Sequence, residues 1–301
     1  MTDDQVARRV EPNRYVEVEG GRLAVHEFGP SDGQVVLAAH GITANALSFA
    51  ALARSMPDVR FVAPDLRGRA CSRDITGPWA IGQHATDLIA VADAYRLDSF
   101  RILGHSMGAF VAAMAAVRHP DRIERVVLVD GGVAFPAPPD ADVDALLTAI
   151  IGPAMTRLSM TFSDRDAYQA FMLGNPAVAE TVALGPEAAA DLAGYLDHDL
   201  LTGEDGRLRS SCVLDAIRVD GGAVVLEPAV LDAVQELTVP GALLWAPRGL
   251  MNQVPGLYTA ELLAAAQLPA SLDLVQVPDC NHYSIVFTDG GRAAIRAALK
   301  V

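Results

Sequence analysis

Ser106 stands at the centre of Gly104-His105-Ser106-Met107-Gly108, a G-x-S-x-G pattern that follows the short apolar run 100–103 and opens an alanine-rich stretch with helical spacing over 107–118. A serine at such a strand-to-helix turn is a candidate nucleophile. The tight turn strains its backbone, the flanking glycines remove side chains that would collide with strand and helix, and Oγ is lifted off the strand end. The free N–H groups and positive dipole end of the following helix converge where a carbonyl oxygen would become an oxyanion. The chemistry this points to is attack on an acyl carbon. A serine in front of a helix can also be a simple N-cap, so the assignment needs a fold and partner groups around it.

The elements that must position this serine alternate strand and helix. Residues 15–19 and 23–28 alternate polar and apolar about Gly20-Gly21 and read as a hairpin at a sheet edge, after a loose arm over 1–13. The continuous apolar run 35–39 reads as a strand covered on both faces, and the mostly apolar stretches 60–63, 100–103 and 126–129 read as further strands, with helices expected over 44–56, 83–95 and 107–118. This rhythm predicts a parallel sheet with helices on both sides. From about residue 135 to 238 it breaks. Only helical segments around 143–151, 165–173, 186–200 and 211–219 are visible, as expected of an inserted helical cap between a first core part, 1–134, and a second, 239–301. The sheet resumes at 241–246 and 272–277, with helices expected over 258–266 and 283–299.

Composition narrows the function. A chain of 301 residues with 51% hydrophobic content can bury a large core. Its 23 basic and 37 acidic side chains give a formal charge of −14, which repels phosphate backbones and anionic lipid and argues against nucleic-acid or membrane-surface partners. Cys71, Cys212 and Cys280 lie far apart without metal-ligand spacing and read as reduced thiols. No apolar leader occupies the first twenty residues, and no run reaches membrane-spanning length. A cytoplasmic protein without metal or organic cofactor is expected.

Together, His40-Gly41 after the third strand, Asp65-Leu66-Arg67-Gly68 after the fourth, the Gly104–Gly108 turn after the fifth and Asn281-His282 before the last helix resemble the α/β-hydrolase superfamily over about residues 15–134 and 239–301. The resemblance implies an α/β-hydrolase fold, a mostly parallel eight-stranded sheet flanked by helices, with the active site at the carboxyl ends of the strands beneath the cap. It also implies the chain order nucleophile, acid, histidine. Beyond Ser106 the histidines are His119, His198 and His282. His119 ends a helix, His198 lies between Asp197 and Asp199 where solvent is expected, and His282 occupies the place of the family's base. An imidazole, ordinarily titrating near pH 6.5, can take the serine proton and return it to the leaving group.

Most relatives carry the acid after the seventh strand, yet residues 246–255 hold no carboxylate. Some haloalkane dehalogenases and zearalenone-degrading lactonases place it after the sixth, where Asp130 stands. Asp130 is therefore expected to orient His282, with Asp279 in reserve; the alternative is that Asp130 only caps its glycine turn. The oxyanion donors implied are the backbone N–H groups of Met107 and Ile42, although Ile42 could simply enter a helix. His40 is expected to shape its turn, and Asp65 and Arg67 to be structural. Phe135, Met155, Phe162 and Trp245 are candidates to line an apolar substrate cavity. The favoured function is a serine carboxyl-ester or lactone hydrolase acting on a small apolar substrate. A C–C bond hydrolase of β-diketones or ring-fission products, or a ligand-binding protein on the same fold, remain alternatives.

Overall fold

The computed structural model describes residues 9–134 and 142–301. Eight strands form the main sheet: β1 (Arg14–Val18), β2 (Gly21–Phe28), β3 (Gln34–Ala39), β4 (Val59–Pro64), β5 (Phe100–His105), β6 (Ile123–Val129) and, late in the chain, β9 (Gly241–Trp245) and β10 (Leu272–Gln276). Their spatial order is β1-β2-β4-β3-β5-β6-β9-β10. β2 pairs antiparallel with both β1 and β4, and every other pairing is parallel. The central strands are largely apolar because both faces are covered, with the charged residues Arg60, Arg101, Glu124 and Arg125 near their starts. Leu37, Ile102, Val126, Leu128 and Leu243 enter one cluster with α2 (Ile81–Ala94) and α3 (Met107–Arg118), while Val36, Leu103, Val127, Val129 and Leu244 enter another with α1 (Ala50–Arg54) and α11 (Asp289–Leu299). That split is the two-residue period of a strand. Burying each large aliphatic or aromatic side chain contributes about 1.5–3 kcal/mol.

Between β6 and β9 lie α4 (Val143–Leu158), α5 (Arg165–Leu173), α6 (Pro176–Ala183), α7 (Pro186–Asp199), the hairpin β7 (Leu200–Thr202) and β8 (Leu208–Ser210), α8 (Leu214–Leu226) and α9 (Pro228–Leu231), and α10 (Ala260–Ala265) lies between β9 and β10. Local chemistry starts several of these helices. Asp142, Asp164 and Asn175 accept from the free N–H groups of α4, α5 and α6, and Pro176, Pro186 and Pro228 occupy first-turn positions where no N–H is needed. The β7–β8 hairpin and α6 were not expected. Ala223, Val230, Val234 and Leu237 pack into the same apolar cluster as Phe110 and Met114 of α3.

Two expected helices are shorter than their periodicity implies. Over 44–56 a single 3₁₀ turn (Ala46–Phe49) precedes α1, and over 283–299 a turn (Ser284–Val286) is cut from α11 by Thr288, whose hydroxyl caps Gly291 N. The start of the described chain is not a loose arm. Arg9 Nε donates to Leu200 O at 3.0 Å and Val10 N to His198 Nδ1 at 3.1 Å, which docks it on the end of α7.

Candidate active site

The turn after β5 has the strain the sequence implies: Ser106 adopts φ 57°, ψ −123° directly before α3. Its approach distances leave no room for side chains. A methyl on Gly104 would lie 2.0 Å from Gly108 O, and one on Gly108 would lie 2.0 Å from Ala39 O. Met107 is the first residue of α3, so its N–H is among those a helix leaves without an intrahelical partner.

Asp130 follows β6 with φ 45°, also a strained value for a residue other than glycine. Its Oδ1 accepts from Ala246 N at 3.0 Å, and its Oδ2 lies 2.7 Å from His282 Nδ1. The carboxylate is thereby fixed by β9 on one oxygen and meets the imidazole on the other. Asp279 is exposed at the surface of the same loop. The loop of His282 is built by Asn281, whose side-chain oxygen accepts from Tyr283 N and Ser284 N, and whose own backbone N–H donates to the Ser284 hydroxyl oxygen at 2.8 Å. Ser106 and His282 line the same two cavities.

Two further histidines frame the site in neutral form. Burial lowers the pKa of His105 to about 4, aided by the neighbouring His282, and its Nε2–H donates to His282 O at 2.9 Å. Burial likewise lowers His40 to about 3. Because its Nε2 accepts from Leu66 N at 2.9 Å, Nδ1 carries the proton and donates to Gly41 O at 2.8 Å. His40 thus holds the turn that presents Ile42. Arg67 forms a buried bidentate pair with Asp87.

Both cavities touch Ile42, Ile151 and Leu250. The first continues past Thr43, Met172, Val178, Leu192 and Tyr195, and the second past Met107, Phe110, Leu147, Gly221 and Leu257. Of the substrate-lining candidates, none of the three described residues reaches either wall. Phe162 is bound into a separate cluster, its ring 5.0 Å from that of Tyr168 and its backbone bridged to Leu208. Met155 packs against the cluster of Leu147, Ile151, Cys212 and Ile217, and Trp245 is buried in β9 within the sheet core. Phe135 lies outside the described residues. The lining of these two cavities was hard to read because much of it comes from aliphatic side chains on several helices, indistinguishable in sequence from core.

His198 also departs from expectation. It is fully buried, and its Nε2 lies 3.0 Å from Asp65 Oδ2, because the end of α7 docks against the loop after β4. The flanking acids are paired as well, Asp197 with Arg165 and Asp199 with Arg157. Among the described residues, His26, Asp65, Cys71 and His198 gather metal-type donor atoms within 4.8 Å of one another. Their hydrogen bonds already occupy those atoms. Val10 N–H points at His198 Nδ1, which leaves the ring proton on Nε2 facing Asp65, and Asp65 Oδ2 also meets His26 Nε2 and Cys71 N. Burial alone would raise the Asp65 pKa, but its bonds to His198 and His26 outweigh that and hold it well below the usual carboxylate range. Ligation through Nε2 would require both imidazoles to give up the proton directed at this carboxylate.

Comparison with known proteins agrees with this architecture. The sequence model of a family described as alpha/beta hydrolase fold matches residues 34–154. The chain is 33% identical over 138 residues to lipase LipV of Mycobacterium tuberculosis, covering 45% of this chain and 52% of the lipase. It is 36% identical over 126 residues to a serine hydrolase-like protein of Danio rerio, covering 41% of this chain and 39% of that protein. The chain therefore spans about half or less of the length of these relatives. A longer alignment, 25% identical over 270 residues, joins 88% of this chain to 87% of 2-(acetamidomethylene)succinate hydrolase of Mesorhizobium japonicum. A crystal structure of E-2-(acetamidomethylene)succinate hydrolase superposes with a TM-score of 0.76 at 23% identity, over 96% of this chain and 98% of that one. The chain has the α/β-hydrolase fold.

Proposed function

We propose that the protein is a serine hydrolase that cleaves a neutral carboxylic ester or lactone with an apolar acyl part through an acyl-enzyme. The observation that carries this reading is the Asp130–His282 pair at 2.7 Å on the cavities that Ser106 lines from its strained turn. Ser106 Oγ bonds to the carbonyl carbon as its proton passes to His282 Nε2, and the carbonyl electron pair moves onto oxygen, facing the N–H groups of Met107 and Ile42. Asp130 accepts from Nδ1–H, fixing the tautomer and stabilising the imidazolium without taking the proton. Collapse breaks the ester C–O bond, and the leaving oxygen takes the proton from Nε2. Water then attacks the acyl carbon, its proton passing through His282 to restore Ser106 and free the acid.

The segment 135–238 acts in this reading as a cap, since Ile151, Ala154, Met172, Val178 and Leu192 form much of the wall facing Ser106. A panel of acyl esters and lactones, tested with wild type and Ser106→Ala, decides the matter. We expect wild-type turnover of apolar esters or lactones. The variant should keep its fold and lose several decades of activity, against about 10⁶-fold for a triad serine in a well-studied protease. Wild type inert on the whole panel, or a variant within tenfold of it, overturns the reading.

A further inference from the structure

A buried charge cluster lies behind the peptide groups assigned to the oxyanion. Arg69, fully buried after β4, donates from Nε to Ile42 O at 2.9 Å and from Nη1 to Arg67 O at 2.6 Å, and its Nη2 lies 3.8 Å from Met107 Sδ. Its Nη1 also pairs with Asp220 Oδ2 of α8 at 2.5 Å, and His84 Nε2 of α2 meets the same oxygen at 2.8 Å. Asp220 and His84 are fully buried too. We propose that Arg69, held by Asp220 and His84, is a positioning residue that sets the aim of the Ile42 N–H and ties it to the docking of α8. The proposal rests on the hydrolase reading above.

The geometry follows from peptide planarity. The N–H of Ile42 shares a trans peptide plane with Gly41 O, and the two point in opposite directions. His40 Nδ1 and Ala44 N both donate to Gly41 O, at 2.8 and 3.1 Å, and so hold that plane. On the other side of the Ile42 Cα, Arg69 Nε holds the next plane through Ile42 O. Both peptide units flanking Ile42 are therefore pinned by buried side chains, one neutral and one cationic. The second contact depends on the fork of a guanidinium, which reaches Ile42 O, Arg67 O and Asp220 at once, as an ammonium point charge cannot. Asp220 supplies the compensating charge, and a buried cation stripped of it would move or be lost. Since Asp220 stands on α8, displacement of that helix would release Arg69 and loosen Ile42.

Arg69→Lys and Asp220→Asn test this on enzyme whose active sites have been counted by titration with a fluorophosphonate. An acyl substrate supplies kcat and KM, and a boronic acid and the carboxylate product serve as binding probes. Loss of a whole oxyanion donor costs about 10²–10³ in kcat, so misalignment of one is expected to lower kcat roughly 10- to 100-fold with KM within about threefold. Boronate affinity should fall by the same factor as kcat/KM while product affinity holds. Variants that melt earlier yet turn over within about threefold of wild type per titrated site would make Arg69 purely structural and overturn the proposal. If Arg69→Lys does not fold, the shape-conserving Asp220→Asn decides by the same measurements. Wild type without turnover or fluorophosphonate labelling overturns the hydrolase reading and this inference with it, whereas active wild type with unaffected variants overturns this inference alone.

Discussion

Asp130 Oδ2 and His282 Nδ1 lie 2.7 Å apart across 152 positions of sequence, bringing the exit of β6 to the loop after β10. The corresponding exit of β9 carries Arg248 instead of a carboxylate. That side chain turns away to a bidentate pair with Glu180 of α6, while Asn252 of the same loop lies 3.3 Å from Asn281 Nδ2. The loop in which the family usually keeps its acid here ties the helical insertion to the loop of His282.

If Asp130 is the orienting acid, Asp130→Asn keeps the side-chain volume but can hold the wrong imidazole tautomer. That change costs about 10⁴-fold in the serine-protease example, and we expect a loss of at least about two decades in kcat. Asp279→Asn, at an exposed position, should stay within about twofold. Steady-state kinetics on one good ester settles both. A kcat within tenfold of wild type for Asp130→Asn would remove Asp130 from the mechanism.

The neutral histidines predict an acid-sensitive fold. The folded pKa values of His105 and His40 lie near 4 and 3, below the ordinary 6.5, so across that interval the unfolded chain binds protons that the folded chain refuses. Their contribution is complete above about pH 6.5 and declines as pH falls, by about 1 kcal/mol per pH unit for each histidine. Asp65, held below the usual range, adds a loss at pH values below about 4. His105→Gln retains a donor toward His282 O but cannot titrate. Urea denaturation at pH 7.5 and pH 5 should show the stability gap shrinking by about 1–2 kcal/mol in that variant. An unchanged gap would mean that His105 is not held neutral by the fold.

What could be read from the sequence was local, and what could not was set by distant pairing. Ser106 announces itself through five adjacent residues, and each central strand through its own apolar run. Asp130 was singled out through an absence, the missing carboxylate over 246–255. His198 looked solvated beside two aspartates because nothing nearby in sequence shows that Asp65, 133 positions away, accepts a hydrogen bond from its Nε2. Arg69 and Asp220 are 151 positions apart, and each alone looks like an ordinary surface charge. The strands β7 and β8 have three residues each, too few for a two-residue period to stand out.

Charge selectivity follows from the cavity walls. Among the described residues, no lysine or arginine lines the two cavities that meet at Ser106. Arg157 lines a neighbouring cavity, but it is bound to Asp199 at 3.0 Å and to Tyr168 OH at 2.8 Å. With a formal charge of −14 on the whole chain, an anionic acyl group would enter against repulsion and find no unpaired cation. We expect kcat/KM for a neutral apolar ester to exceed that of its ω-carboxylate analogue by at least about 10²-fold, a difference of about 3 kcal/mol. A succinate-type substrate turned over as well as the neutral one would show that another group supplies the charge.

The cavity on the Met107 side gives a test of size. Gly221 of α8 lies on its wall, and a methyl there would sit 2.5 Å from Leu147 Cδ2 and 3.2 Å from Ile42 Cδ1. Both are ends of flexible side chains, so Gly221→Val can be accommodated by pushing Leu147 into the space that an apolar arm of the substrate would occupy. In the hydrolase reading this variant lowers kcat/KM for branched or long-chain esters at least about tenfold, the scale of one or two methylenes excluded from an apolar pocket. Esters with two-carbon arms should change by less than about threefold. A loss of equal size for every ester would mean that the valine displaces Ile42 or Asp220 instead of filling the cavity. No change for any ester would show that substrates lie wholly on the Tyr195 side.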